Sequence, residues 1–176
     1  MAALVQNRYP HVTWWCPQLA ASPQQAMADI FTRIAVWPGH PNFSSMAVIG
    51  SSLGGFYATC VAERMHCKAV LLNPAVDPAR DLTHYIGEQT SWHDPAETFF
   101  FRPEFVDQLR SLEVGPLQSP QDYLAIVAKG DQVLDWREMA SRYSQSHLHL
   151  IEGGDHALSD FDDHLPAILD FLDLSA

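Results

Sequence analysis

Three residues of this chain have the types and order that could turn a serine hydroxyl into a nucleophile: Ser52, Asp131 and His156. A serine hydroxyl is weakly nucleophilic at its own pKa, so it needs a base to take its proton and an acid to orient that base. The stretch Gly50-Ser51-Ser52-Leu53-Gly54 has the pattern G-x-S-x-G, which holds a serine on a turn so tight that its neighbours two residues away lack side chains. We therefore predict a nucleophile at Ser52, with the backbone N–H of Leu53 as an oxyanion donor.

The candidate acid and base each follow a strand-like run. Asp131 comes after residues 123–128, and His156 comes after residues 147–151. Parallel strands present their carboxyl ends at one edge, and Ser, Asp, His is the chain order found in α/β-hydrolases. Turn chemistry alone could also explain an aspartate after glycine or a histidine after Gly-Gly. Two other carboxylates compete for the role of the acid: Asp77 and Asp135. We prefer Asp131 because its loop is the shortest.

Elements on both sides of the serine motif fit an elbow between a strand and a helix. Residues 45–49 are short and apolar, which predicts a buried strand, and residues 55–65 lack proline and predict a helix. Further strands are expected at residues 12–16, 69–72, 123–128 and 147–151, and further helices at residues 22–36, 136–143 and 165–174. Ser22 is the expected N-cap of the helix before the elbow, Pro23 its first residue, and residues 38–41 its break. The alternation indicates an α/β fold, a mostly parallel sheet with helices on both faces.

Residues 77–121 differ from the rest of the chain. They hold five prolines and an aromatic cluster around Trp92 and Phe99-Phe100-Phe101, with weak periodicity. Two interpretations remain open: a lid whose apolar side chains contact substrate, or a pair of packing helices whose aromatics belong to the core. We treat residues 1–176 as a single domain that contains this segment as a lid or helical insertion.

Amino-acid composition and charge limit the classes of protein to which this chain could belong. The net charge of −11 disfavours a nucleic-acid partner, because no basic patch could displace counterions from phosphates. No apolar run is long enough to span a membrane. The first eight residues lack the features of a signal peptide, so we expect a cytoplasmic protein. No pattern in the sequence specifies an oligomeric state.

The cysteines and histidines give no metal signature. Cys16, Cys60 and Cys67 have neither zinc spacing nor a disulfide pattern, and we expect the first two to be small core residues. His147 and His149 would share one face of a strand, but no third ligand is near them in sequence. We expect no metal and no organic cofactor.

Four motifs in order resemble the YqiA/YcfP family of small α/β-hydrolase-fold esterases. They are Gly50–Thr59, Asn73-Pro74-Ala75-Val76, Gly130–Asp135 and Glu152–Ala157, and the similarity extends from about Pro10 to Leu174. The resemblance implies a triad of Ser52, Asp131 and His156. It also implies hydrolysis of small-molecule carboxylic esters or thioesters, with acyl-CoA among the candidates.

One feature of that family is missing from this sequence. Family members begin with an apolar strand and a His-Gly-Phe loop, which supplies a second oxyanion donor and lies beside the elbow strand. Met1–Val5 is typical of the end of the helix that would follow such a loop, so we expect that the chain starts at an internal methionine or lacks its natural N-terminus. Translation of the upstream DNA tests this expectation.

The sequence supports two principal functions. The first is a serine esterase or thioesterase that works through an acyl-enzyme, and a peptidase with the same triad remains an alternative to it. The second is a catalytically weak or inactive binding protein of the same fold, because removal of one oxyanion donor costs about two to three orders of magnitude in rate.

Overall fold

The computed structural model describes residues 2–37, 46–90 and 98–174. Within these ranges the α-helices are α1 Ala2–Arg8, α2 Pro23–Ala35, α3 Leu53–Met65, α4 Pro78–Asp81, α5 Pro103–Leu112, α6 Trp136–Arg142 and α7 Phe161–Phe171. The strands are β1 Ala47–Ser51, β2 Lys68–Leu72, β3 Gly87–Thr90, β4 Thr98–Phe101, β5 Tyr123–Ala128 and β6 His147–Ile151. Short 3₁₀ helices span Leu82–Tyr85 and Pro120–Asp122.

A four-stranded parallel sheet in the order β1-β2-β5-β6 forms the centre of the fold. In the β1–β2 pair, Ala47 lies opposite Lys68, and in the β5–β6 pair, Ala128 lies opposite Ile151. Strands β2, β5 and β6 and helices α3 and α6 confirm the predicted elements closely. Helix α7 begins four residues before the predicted start and ends three residues before the predicted end.

Helices cover both faces of this sheet, as predicted. One face packs α3 and α6 against alternate side chains of β2 and β5, including Leu71, Ala125 and Val127. The other face packs α7, through Ile168, against Val70, Leu72, Leu124 and Ile126. Helices α2 and α5 form a further layer against α3. Because β2 and β5 are covered on both faces, their sequences are nearly continuous apolar runs.

The elbow strand is less buried than the sequence predicted. Strand β1 is exposed at Ala47 and Ser51 and only half-buried between them. Among the described residues, β2 is its sole partner strand, so the side chains and backbone at its outer edge lie nearer to solvent. The expectation of a buried strand was therefore wrong about burial, although the strand itself is present.

The N-terminal segment also departs from the prediction. Residues 12–16 form no strand; they run as irregular chain over the surface, and the ring of Trp15 packs edge-on against that of Trp37. Cys16 is exposed, whereas Cys60 and Cys67 are buried. The β-branched and aromatic composition was misleading, because a strand also needs a partner and none of the described strands pairs with this segment. The helix break expected at residues 38–41 lies outside the described residues.

Helix α2 begins as its sequence predicts. The Ser22 hydroxyl oxygen accepts a hydrogen bond from the Gln25 backbone N–H, and Pro23 occupies the first turn. Helix α1 includes the segment Ala2–Val5 that we expected to be helical.

The segment 77–121 contains both buried and exposed aromatic side chains. Phe101 and Phe105 are buried, in edge-to-face contact with each other at 5.5 Å between ring centroids. Phe99 and Phe100, on the antiparallel ribbon of β3 and β4, are exposed. Helix α5 packs against α2 and α4. Part of the aromatic cluster therefore belongs to the core, while the action of the exposed part as a lid stays a prediction. Trp92 lies outside the described residues.

Candidate active site

Ser52 occupies a strained turn between β1 and α3. Its φ of 54° and ψ of −124° lie in a region that side chains rarely adopt. A Cβ on Gly50 would lie 2.1 Å from the Gly54 carbonyl oxygen, so the first glycine of the motif is required by space. A Cβ on Gly54 would meet no atom within 4 Å, whereas one on Gly55 would lie 2.7 Å from the Pro74 side chain. The expectation that both motif glycines must lack side chains holds only for Gly50.

Backbone hydrogen bonds to the end of β2 hold this turn in place. The Ser52 N–H donates to the Leu72 carbonyl at 3.0 Å, and the Ala75 N–H donates to the Ser52 carbonyl at 3.0 Å. Leu53 is the first residue of α3, where backbone N–H groups have no intrahelical acceptor and point toward developing negative charge. Ser52, the candidate nucleophile, is therefore held by the end of β2, and the N–H of Leu53, its candidate oxyanion donor, is held by α3.

The acid lies in a turn that directly follows β5. One carboxylate oxygen of Asp131 accepts the backbone N–H groups of Val133 at 2.7 Å and Leu134 at 2.9 Å. Its side chain is 0% exposed, and the second oxygen lies 2.7 Å from His156 Nδ1. The local sequence Gly-Asp-Gln-Val-Leu thus folds back on its own carboxylate, which fixes the orientation of that group.

Glycines allow the acid loop and the histidine loop to touch. The Gly130 N–H donates to the Gly153 carbonyl at 2.7 Å, and a Cβ on Gly130 would lie 2.4 Å from the Gly154 carbonyl oxygen. Gly153 and Gly154 both have positive φ, 78° and 75°. Sequence reasoning treated these glycines as a turn and missed that two loops close on each other here.

Asp155 stabilises the turn that carries the histidine. Its carboxylate accepts the Ser159 backbone N–H at 3.0 Å. Hydrogen bonds from the Ser159 side chain and backbone lower the pKa of Asp155 below its ordinary value, since they favour the charged form.

The three predicted side chains meet at the carboxyl edge of the sheet. The His156 Nε2 atom lies 2.9 Å from the Ser52 hydroxyl oxygen, and its Nδ1 atom lies 2.7 Å from Asp131 Oδ2. Because a carboxylate only accepts hydrogen bonds, Nδ1 carries the proton and Nε2 of the neutral ring accepts from the serine hydroxyl. The His156 side chain is 16% exposed, so solvent reaches part of the imidazole but not the Asp131 side chain.

The rival acids have other partners. Asp135 caps α6 through the Arg137 N–H, and Asp77 caps α4 through the Arg80 N–H. Both are therefore occupied in helix capping, and the contact to His156 is made by Asp131.

The described residues contain neither a group of metal ligands nor a helix that could span a membrane. No cluster of three or more His, Cys, Asp or Glu in these parts of the chain is arranged to hold a metal ion. No helix among them has the length and apolar character needed to cross a membrane.

A protein-family model covers almost the whole chain. Residues 1–173 match the model of a family described as "Uncharacterised protein family (UPF0227)", and the chain belongs to that family. This is the family of YqiA/YcfP-like proteins, so the resemblance drawn from the four motifs is confirmed.

Solved structures with the same architecture are α/β hydrolases. The chain is similar to alpha/beta hydrolase domain-containing protein 10 from mouse, with a TM-score of 0.64 at 16% identity over 86% of this chain and 70% of that one. An alpha/beta superfamily hydrolase from Oenococcus oeni gives a TM-score of 0.58 at 15% identity, covering 89% and 77%. A structure titled for the metagenome-derived lipolytic enzymes LipS and LipT gives 0.62 at 14%, covering 88% and 74%. These likenesses establish the α/β-hydrolase fold.

Proposed function

We propose that this protein is a serine hydrolase that cleaves carboxylic ester or thioester bonds through Ser52, His156 and Asp131. One observation carries the proposal: a continuous chain of contacts from hydroxyl to imidazole to carboxylate, at 2.9 Å and 2.7 Å. Both distances are within hydrogen-bonding range, as required for proton transfer from nucleophile to base.

The geometry supports a two-step acyl transfer. His156 Nε2 takes the hydroxyl proton while Ser52 Oγ bonds to the carbonyl carbon, and the Leu53 N–H stabilises the oxyanion. The imidazolium then gives its proton to the departing alkoxide or thiolate, and the acyl group remains on Ser52. In the second step His156 takes a proton from water, whose oxygen attacks the acyl carbon. The imidazolium then gives this proton to Ser52 Oγ as the bond between Oγ and the acyl carbon breaks, which restores the serine and releases a carboxylic acid.

The buried carboxylate has a defined part in this scheme. Asp131 accepts the proton on His156 Nδ1, which leaves Nε2 free to act as the base toward Ser52. Its negative charge also balances the positive charge of the imidazolium, and the Asp131 side chain is shielded from solvent. The scheme uses no metal ion and no organic cofactor.

Relatives in fold favour an ester-type substrate over a peptide. The lipolytic enzymes LipS and LipT share the fold, and so does an enzyme named Est1E from Butyrivibrio proteoclasticus, whose structure contains ferulic acid. If the segment 77–121 acts as the predicted lid, the exposed Phe99 and Phe100 would give it apolar surface for an acyl group. We therefore place carboxylic esters and thioesters, including acyl-CoA, ahead of peptides.

Labelling with a fluorophosphonate probe tests the nucleophile. Wild-type protein should be modified on Ser52, and Ser52→Ala should not be labelled. Ser51→Ala is the matched control, because Ser51 is adjacent and exposed at the end of β1 and should keep wild-type labelling. Absence of labelling in the wild type, or equal labelling of Ser52→Ala, would favour the alternative of a binding protein that keeps the fold.

A substrate panel then tests the bond class. p-Nitrophenyl esters of increasing acyl length, the matching acyl thioesters and aminoacyl p-nitroanilides are compared by kcat/KM. We expect turnover of esters and thioesters and none of the amides. Preferential turnover of the amides would identify a peptidase instead.

A further inference from the structure

Asn73 lies at the point where the end of β2 meets the loops of the site. Its side chain and backbone are 0% exposed, and its φ is 41°, in the left-handed region that asparagine tolerates better than most residues. In the sequence, Asn73 is notable only as part of the motif Asn73-Pro74-Ala75-Val76. Because a buried amide must find hydrogen-bond partners, its contacts indicate what it does.

The amide of Asn73 holds the histidine loop. Its Nδ2 group donates to the Asp155 carbonyl at 3.0 Å and to the His156 carbonyl at 3.1 Å. Its Oδ1 atom accepts the Ala128 backbone N–H at 2.8 Å, at the end of β5. Both donors of the amide are therefore spent on two successive carbonyls around the candidate base.

The backbone beside Asn73 holds the serine turn. The preceding carbonyl, on Leu72, accepts the Ser52 N–H, and the Ala75 N–H donates to the Ser52 carbonyl. The Asn73 N–H itself donates to the Ile126 carbonyl in β5 at 2.9 Å. One four-residue segment thus bonds to Ser52 by its main chain and to the His156 loop by its single buried amide.

We propose that Asn73 is a positioning residue that sets the distance between His156 Nε2 and the Ser52 hydroxyl. This inference rests on the proposed function for its effect on rate, but its effect on the imidazole does not depend on that function. Misplacement of a catalytic group by about 1 Å costs about a hundredfold in rate. Loss of two hydrogen bonds at the base of the histidine loop would allow such a shift.

Two substitutions remove these donors in different ways. Asn73→Asp keeps the shape and the acceptor for the Ala128 N–H, but it sets one carboxylate oxygen, in place of Nδ2, against the Asp155 and His156 carbonyls. Asn73→Gly removes the side chain and accepts the positive φ without strain. The control is Tyr143→Phe, which removes another buried hydrogen bond, the 2.9 Å contact between the Tyr143 hydroxyl at the C-cap of α6 and Thr59 Oγ1 in α3.

Two readouts separate positioning from general stability. The ¹H–¹⁵N spectrum of the imidazole groups reports the tautomer of His156, whose signals are identified by their absence in His156→Gln. The rate constant of fluorophosphonate labelling reports the reactivity of Ser52. On an accepted ester, kcat should fall with KM unchanged within twofold, because Asn73 is fully buried and would not contact the substrate. Melting temperatures are recorded for every variant, and rates are measured well below them.

We expect both Asn73 variants to lose the single Nδ1–H tautomer of His156 and to be labelled about a hundredfold more slowly. Tyr143→Phe should keep the wild-type tautomer and rate. If the wild type is inert to the probe, the proposed function fails, and the imidazole spectrum alone decides the role of Asn73.

Three results would overturn the proposal. The first is a folded Asn73→Asp or Asn73→Gly protein with the wild-type tautomer and labelling within twofold. The second is the same loss in Tyr143→Phe, since any buried hydrogen bond would then have this effect. The third is failure of both Asn73 variants to fold, because the side chain would then be needed for folding itself rather than for placing His156.

Discussion

Strands β1 and β5 each lead into a residue of the candidate site, Ser52 and Asp131, but the sheet holds the two strands in different ways. β5 has partner strands on both sides, and each of its six residues is 2% exposed or less. β1 pairs with β2 alone among the described strands and is exposed at both ends. The candidate acid therefore follows the most buried strand of the sheet, and the candidate nucleophile follows a strand at the edge of the sheet as the described residues form it.

The difference indicates where the precision of the site comes from. Burial fixes β5, and the Asp131 turn then needs only its own two backbone hydrogen bonds. β1 receives less support from the sheet, so the position of Ser52 depends on hydrogen bonds to Leu72 and Ala75 and on the close contact of Gly55 with Pro74. The serine is placed mainly by its neighbour β2.

The largest expected effect concerns the identity of the acid after β5. Asp131→Asn should slow fluorophosphonate labelling by about a thousandfold or more, because an amide in place of the carboxylate no longer enforces the Nδ1–H tautomer of His156. Asp135→Asn is the matched control, since asparagine also caps helices, and it should stay within about twofold. A large loss in Asp135→Asn with a normal rate in Asp131→Asn would reverse the assignment.

The second prediction tests the difference in burial between the two strands. Ile126→Ala in β5 should lower the free energy of unfolding by about 4 kcal/mol, because Ile126 is fully buried. Ile49→Ala in β1 removes the same atoms from a half-buried position and should cost about 1.5 kcal/mol. Urea unfolding measures both. Equal losses would mean that β1 is as well packed as β5.

The third prediction concerns the two glycines of the serine motif. Gly50→Ala should destabilise the protein by about 3 kcal/mol, since its Cβ would overlap backbone atoms of Gly54 and Gly55. Gly54→Ala places its Cβ in open space within α3 and should be neutral or stabilising by about 1 kcal/mol. Thermal and urea unfolding decide the matter, and a tolerated Gly50→Ala would contradict the strained elbow.

The smallest expected effect is the pH dependence contributed by the histidine loop. Hydrogen bonds from Ser159 lower the pKa of Asp155 in the folded state, so its contribution to stability is present above its unfolded pKa of about 4 and is lost as pH falls below that value. Asp155→Asn should therefore be less stable than wild type at pH 7, and the two should converge near pH 2. Melting temperatures across this range measure the difference. A difference in melting temperature that stays constant with pH would show that the charge of Asp155 does not cause it.

Much of this fold could be predicted because its signals are local. Helix α2 begins at Ser22 and Pro23 through a side-chain cap, and β2 and β5 are apolar runs buried on both faces. The residues Ser52, Asp131 and His156 could be proposed because each follows its own strand. Residues 12–16 were predicted wrongly, since their composition suits a strand but pairing depends on a neighbour that sequence alone does not specify.

The sequence by itself determined the order of the chemistry: a serine on a glycine turn, then an aspartate and a histidine, each directly after a strand. Such signals depend on backbone sterics and side-chain periodicity, which act over a few residues. Tertiary structure decided which glycines are needed, how deeply each strand is buried and which carboxylate meets His156. It also gave Asn73 its partners, because contacts between residues 73, 128 and 156 exist only after the parallel strands have brought their ends together.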